Sequence, residues 1–161
     1  MHKFLTLDAQ LSQRLRVAEK PGRLRNAAIL LAHSGDSWFW LLGLALLWLV
    51  GSPDWKRLAM ILGLGVIVTA VLVLAVKFTV RRQRPAGDWG AIYRSTDPHS
   101  FPSGHAARVI MLAVVAWMAG PMWLGIFLLL WGPWVALARV AMGVHYLSDV
   151  IVGALMGGLI G

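Results

Sequence analysis

Lys77 and Arg84, then Ser103-Gly104-His105, then Arg139 with His145 and Asp149 stand in a chain that is otherwise apolar almost throughout their surroundings. Together they supply three fixed cations, two imidazoles and one carboxylate. Charged groups are expensive to keep among apolar residues, so they mark a site by default. The set has a chemical logic: cations neutralise a phosphate, and an imidazole oriented by a carboxylate can attack it.

Spacing gives each segment a place. Lys77 and Arg84 are seven residues apart, two helical turns, which sets both on one face of a helix that Pro85 ends. Pro102-Ser103-Gly104-His105 reads as a helix start, where free backbone N–H groups and the helix dipole favour an anion. Ser103 can cap that helix or donate to a phosphate, and Gly104 lets the backbone come close. His145 and Asp149 lie four residues apart and share a helical face, so the carboxylate can fix the imidazole's tautomer. Taken singly, each segment also has an ordinary explanation. The first two can be a snorkelling pair of cations and a plain N-cap, and the last an interfacial histidine before a capped helix.

The elements that position these residues follow from composition. The chain has 161 residues, which is one domain, and 58% of them are hydrophobic, nine of them tryptophan. Several apolar runs approach the roughly 20 residues that cross a bilayer. The expected fold is all-α: an integral membrane helical bundle of about five spanning helices plus an N-terminal amphipathic interfacial helix. Residues 1–36 form the interfacial segment and 37–161 the bundle. Residues 1–25 alternate basic and apolar side chains at three- and four-residue intervals up to Pro21-Gly22, and carry no compact core of a cleavable signal. Spans are expected at about 37–50, 55–82, 103–120, 122–142 and from Leu147 onward, the fourth bent near Gly132-Pro133. Gly153, Gly157 and Gly161 give the last one a small-residue face for a neighbouring helix. From Leu147 to Gly161 this helix covers only about 22 Å of a core about 30 Å thick, so the chain is expected to continue or the bilayer to adapt. This alternation of spans brings all three charged segments to one side of the membrane.

In that order and at those spacings, Lys-x6-Arg-Pro, Pro-Ser-Gly-His and Arg-x5-His-x3-Asp resemble the type 2 phosphatidic acid phosphatase superfamily of membrane phosphatases. The likeness covers about residues 77–153, with Ala138 where the third motif usually has serine before Arg139. The resemblance implies that His145 attacks phosphorus and forms a phosphohistidine, that Asp149 orients it, and that His105 protonates the departing oxygen. It further implies that Lys77, Arg84, Arg139, Ser103 and Gly104 hold the phosphate oxygens. Three cations can do the neutralising that a metal would otherwise do, and Asp88, Asp97 and Asp149 stand isolated in sequence. No metal or cofactor is therefore expected.

The formal charge of +8 is assigned to lipid headgroups and the phosphate pocket, so nucleic acid is not the expected partner. The substrate class is a membrane lipid phosphate or diphosphate, such as undecaprenyl diphosphate, phosphatidylglycerol phosphate, phosphatidic acid or a lipid A phosphate. Arg81, Arg82 and Arg94 are candidate contacts to a second phosphate or to neighbouring headgroups. The partner is the bilayer of a bacterial or archaeal cell membrane. Counting cations favours a cytoplasmic site, although several of them belong to the motif. The alternative is a non-catalytic lipid-binding or transport protein on the same fold, which the intact histidines and Asp149 disfavour.

Overall fold

The computed structural model describes residues 2–87, 89 and 97–161. Among them are seven helices: α1 (His2–Arg14), α2 (Arg23–Ser34), α3 (Ser37–Val50), α4 (Pro53–Val80), α5 (Gly104–Ala119), α6 (Met122–Ala141) and α7 (Leu147–Ile160). The boundaries follow local chemistry. Pro53 opens α4 in its first turn, where a missing N–H costs nothing, and Ser103 caps α5 by accepting from the Ala106 N–H.

α5 is the central helix. It packs on α4, α6 and α7, and Met111, Leu112 and Ala113 are fully buried against Leu62, Val66 and Leu128. The glycine face expected on α7 lies against α5 in register. A Cβ at Gly153, Gly157 or Gly161 would meet the carbonyl oxygen of Ser103, Ala107 or Met111 at 2.4, 2.1 or 3.0 Å. Each glycine of one helix thus faces one residue of a matching four-residue series on the other. The outer surface of the bundle stays apolar, with Leu64, Val71, Phe127 and Leu155 more than half exposed.

The helices differ from the expected spans in three respects. Among the described residues only α4 and α6 are long and apolar enough to cross a membrane, while α5 and α7 are shorter apolar helices of 16 and 14 residues. The α2–α3 pair, bent by 53°, adds a third span if it is counted as one. The N-terminal helix stops at Arg14, well before Pro21, because the Val17 and Ala18 N–H groups both donate to Ala141 O and draw the chain off its helical path. Finally, α4 ends at Val80 with Arg81 in the left-handed region (φ 53°), so Arg84 does not continue the helix. It arrives on an extended segment held by a Gln83–His99 bridge. Pro133 lies inside α6, which runs unbroken across it.

α1 presents Phe4, Leu7 and Leu11 outward while burying Asp8 and Ser12 against the start of α7. Ser12 Oγ accepts from the Leu147 N–H and Asp8 Oδ1 from the Ser148 N–H (2.8 and 3.0 Å). The polar side of this amphipathic helix therefore caps α7, and its apolar side faces outward.

Candidate active site

A cavity of about 260 Å³ lies where α4 and α6 end and α5 begins, lined by Lys77, Arg84, His105, Arg108, Arg139 and His145 among others. The three sequence motifs therefore meet, although they come from elements far apart in the chain. Lys77 and Arg84 are each 4% exposed and Arg139 is 1% exposed, so none of the three snorkels to an interface. A cluster of buried cations repels itself and has a low-dielectric surround, both of which favour an entering anion.

The nucleophile candidate is held by a turn. After α6, Gly143 takes φ +68°, a conformation that favours glycine, and this reverses the chain so that His145 points back into the cavity. Arg84 Nη1 donates to Val144 O at 2.8 Å and lies 3.3 Å from His145 Nε2. A guanidinium has only donors, so Nε2 faces it as the unprotonated nitrogen and Nδ1 carries the hydrogen. Nδ1 stands 3.6 Å from Asp149 Oδ2, longer than a hydrogen bond. Burial pushes the His145 imidazole down to about 4, and Arg84 and Arg139 add to this against the opposing Asp149. The ring is thus neutral at physiological pH, with its lone pair at Nε2.

Asp149 is fully buried. Its Oδ2 accepts from the Tyr146 N–H at 2.9 Å and its Oδ1 from Arg82 Nη1 at 2.6 Å. Arg82 also reaches Asp8 at 2.7 Å and stacks on the Tyr146 ring at 4.0 Å. Its guanidinium is therefore engaged behind Asp149, unlike the headgroup contact expected of it. Arg81 is exposed and lines a surface cavity with Gln83, Arg84, Pro98 and His99. Arg94 lies outside the described residues.

The start of α5 divides its tasks. Ser103 is fully buried; its Oγ caps the helix and its N–H donates to Asp149 O at 2.9 Å, tying the second motif to the third. Gly104 and His105 line the cavity, whereas Ser103 is not among its lining residues.

Several residues that the sequence reading did not single out enter the site. Asp97 is not isolated: its Oδ2 pairs with both Lys77 Nζ and Arg84 Nη2 (2.8 Å for the latter). Asp36 Oδ1 is 2.7 Å from His105 Nε2. Arg108 is 7% exposed and donates to Gly35 O at 2.6 Å. An isolated aspartate in a loop carries no spacing signal, and an aspartate before a helix reads as a cap, so neither carboxylate was legible. No group of three or more histidines, cysteines or acids suited to a metal occurs among the described residues.

This arrangement can hold an anion with buried cations and present a neutral imidazole nitrogen to it. Comparison with known proteins agrees on the class. Residues 58–161 match the PAP2 superfamily. The chain is 36% identical over 148 residues to the decaprenylphosphoryl-5-phosphoribose phosphatase of Mycobacterium tuberculosis, covering 90% of this chain and 80% of that one. Its fold is similar to the crystal structure of Aquifex aeolicus LpxE (TM-score 0.75, 25% identity, covering 96% and 92% of the two chains). It is also similar to a transmembrane PAP2-type phosphatidylglycerolphosphate phosphatase from Bacillus subtilis (TM-score 0.78, 20% identity, 99% and 83%). With its apolar helices and the phosphatase relatives, the chain is an integral membrane protein that hydrolyses lipid phosphates, and it belongs to the PAP2 superfamily.

Proposed function

We propose that this protein removes a phosphate from a membrane lipid phosphate or diphosphate through a phosphohistidine on His145, without a metal. The observation that carries this reading is the neutral His145 Nε2 beside the buried Arg84 guanidinium, in a cavity also lined by Lys77 and Arg139. Nε2 attacks phosphorus in line as the ester P–O bond breaks, and the electron pair leaves with the oxygen, which takes a proton from His105. Water then gives a proton to His105 and attacks the phosphohistidine, and the P–N bond breaks to release phosphate. Phosphoryl transfer needs mainly positioning and charge neutralisation, which the three cations supply.

The substrate approaches from within the bilayer. Leu74 lines the cavity and is also 47% exposed on the outer face of α4, so the cavity is continuous with an apolar surface. The mycobacterial relative is a decaprenylphosphoryl-5-phosphoribose phosphatase, which makes polyprenyl substrates such as undecaprenyl diphosphate the first to examine, with phosphatidylglycerol phosphate next.

The test is phosphate release by the purified full chain in lipid nanodiscs across a panel of these lipids, with EDTA and with vanadate. Turnover should persist in EDTA and stop with vanadate. A radiolabelled substrate should leave an acid-labile phosphoenzyme that His145→Ala abolishes. Dependence on added magnesium, or near-normal turnover by His145→Ala, would overturn the mechanism.

A further inference from the structure

Between α2 and α3 the chain breaks at Gly35 and Asp36, a place where an aspartate normally does one thing. An acidic residue before a helix caps it through a side-chain bond to the second or third N–H. Asp36 occupies that position before α3 and makes no such bond. Both its oxygens go to imidazoles: Oδ1 lies 2.7 Å from His105 Nε2 and Oδ2 lies 3.0 Å from His33 Nδ1. The capping interaction is forgone in favour of a contact with the site.

The break itself is pinned. Ser34 O accepts from Trp40 Nε1 and Ser34 Oγ from Trp131 Nε1, both at 3.0 Å, while Arg108 Nη1 donates to Gly35 O at 2.6 Å. A Cβ at Gly35 would meet Val135 Cγ1 at 2.7 Å and His105 Cδ2 at 3.4 Å, so the backbone lies flat against α6 and the histidine. Three side chains from three helices thus fix a turn whose carboxylate rests on His105. Such over-determined placement is what keeps a functional group in one geometry.

We infer that Asp36 is a positioning residue for His105, forming a second carboxylate–imidazole pair opposite the His145–Asp149 pair; the inference rests on the phosphatase mechanism proposed above. The carboxylate takes the Nε2–H, which leaves Nδ1 as the nitrogen that faces substrate. In the first half-reaction the imidazolium donates its Nδ1 proton to the leaving oxygen as the P–O bond breaks. In the second, neutral Nδ1 accepts a proton from the attacking water as the P–N bond breaks. Burial first, and then the charges of Arg139 and Arg108, disfavour a positive His105, and the Asp36 carboxylate is the group that opposes them. The ring of His33, 45% exposed, joins the pair to solvent.

The test compares Asp36→Asn with the unchanged protein on two substrates of equal chain length. One is a long-chain alkyl phosphate, whose alkoxide needs a proton to leave. The other is a nitrophenyl phosphate monoester carrying the same alkyl chain on its ring, whose phenolate does not. Turnover should fall about 30-fold or more on the first and less than about 3-fold on the second, within the usual reach of general acid catalysis of about 10²–10⁴. In a His105→Gln background the same substitution should cost little further on either substrate, because Asp36 acts through that ring. Equal losses on both substrates, or a full further loss in the His105→Gln background, would mean that Asp36 only holds the turn. A measurement without any substitution at position 36 guards against misfolding. The His105 Nε2–H should give a far-downfield proton resonance that disappears in His105→Gln, and its absence would overturn the inference. Failure of the mechanism itself reads differently: no phosphoenzyme forms in the unchanged protein and His145→Ala keeps its activity.

Discussion

Gly153→Ala tests whether helix packing sets the geometry of the site. The added Cβ would stand 2.4 Å from Ser103 O and 3.3 Å from Ala106 Cβ, where ordinary contact begins at 3.4 Å. The clash is with backbone, which no rotamer change relieves, so α5 and α7 must separate by about 1 Å at the level of Ser103. Ser103 N–H bonds Asp149 O, and His105 follows two residues on, so the separation pulls the acid side of the site away from the nucleophile side. Overpacking of this kind costs about 1–3 kcal/mol, and a displacement of about 1 Å costs on the order of 10²-fold in rate. Gly158→Ala is the internal control, since its Cβ meets nothing nearer than Ile110 Cγ2 at 4.0 Å. Stability to about 0.5 kcal/mol of the unchanged protein is expected there. Both variants are assayed in nanodiscs for thermal unfolding and for phosphate release from a lipid substrate. Gly153→Ala should lower the unfolding temperature and cut kcat by about 10–100-fold while Gly158→Ala keeps both. If Gly153→Ala keeps kcat within twofold of the control, close helix contact does not position the site and the reasoning fails.

Nitrogen NMR of histidine-labelled protein should find His145 neutral from physiological pH down to about 4, because burial lowers its affinity for a proton and protonation removes the Nε2 lone pair only below that value; a midpoint near the ordinary imidazole value of about 6.5 would contradict its environment. Arg82→Gln should reduce kcat about 10-fold or more with little change in KM, because Arg82 holds Asp149 rather than substrate; a KM rise specific to lipid diphosphates would restore it to the headgroup. Asp97→Asn should tighten vanadate binding several-fold, because the carboxylate competes for Lys77 and Arg84, and weaker binding measured by calorimetry would instead make it a positioning group.

The helical elements and the eight motif residues were legible in sequence because both are local signals. Apolar run length marked the helices, and α3 begins and ends where the sequence placed it. The four-residue glycine spacing marked a packing face on α7, since a small residue on each turn makes one continuous groove, and the fold sets α5 against it. The alternation of spans brought Lys77, Arg84, His105, Arg139 and His145 to one side of the membrane, and the cavity joins them. What sequence could not carry was how unlike segments meet. Arg84 was placed on the helix by counting turns, yet the chain leaves the helix at Arg81 and the residue arrives by another path. Arg82 has the composition of a headgroup contact, but a partner 74 residues away, Asp8, turns it inward beside Asp149. Asp36 and Asp97 have no periodic or motif context, and their roles depend on which charges the fold sets within about 3 Å of them. Periodicity and spacing report the geometry of one helix at a time. A carboxylate's partner is decided by the closing of the bundle, because electrostatic and hydrogen-bond energies depend on distance in space rather than separation along the chain.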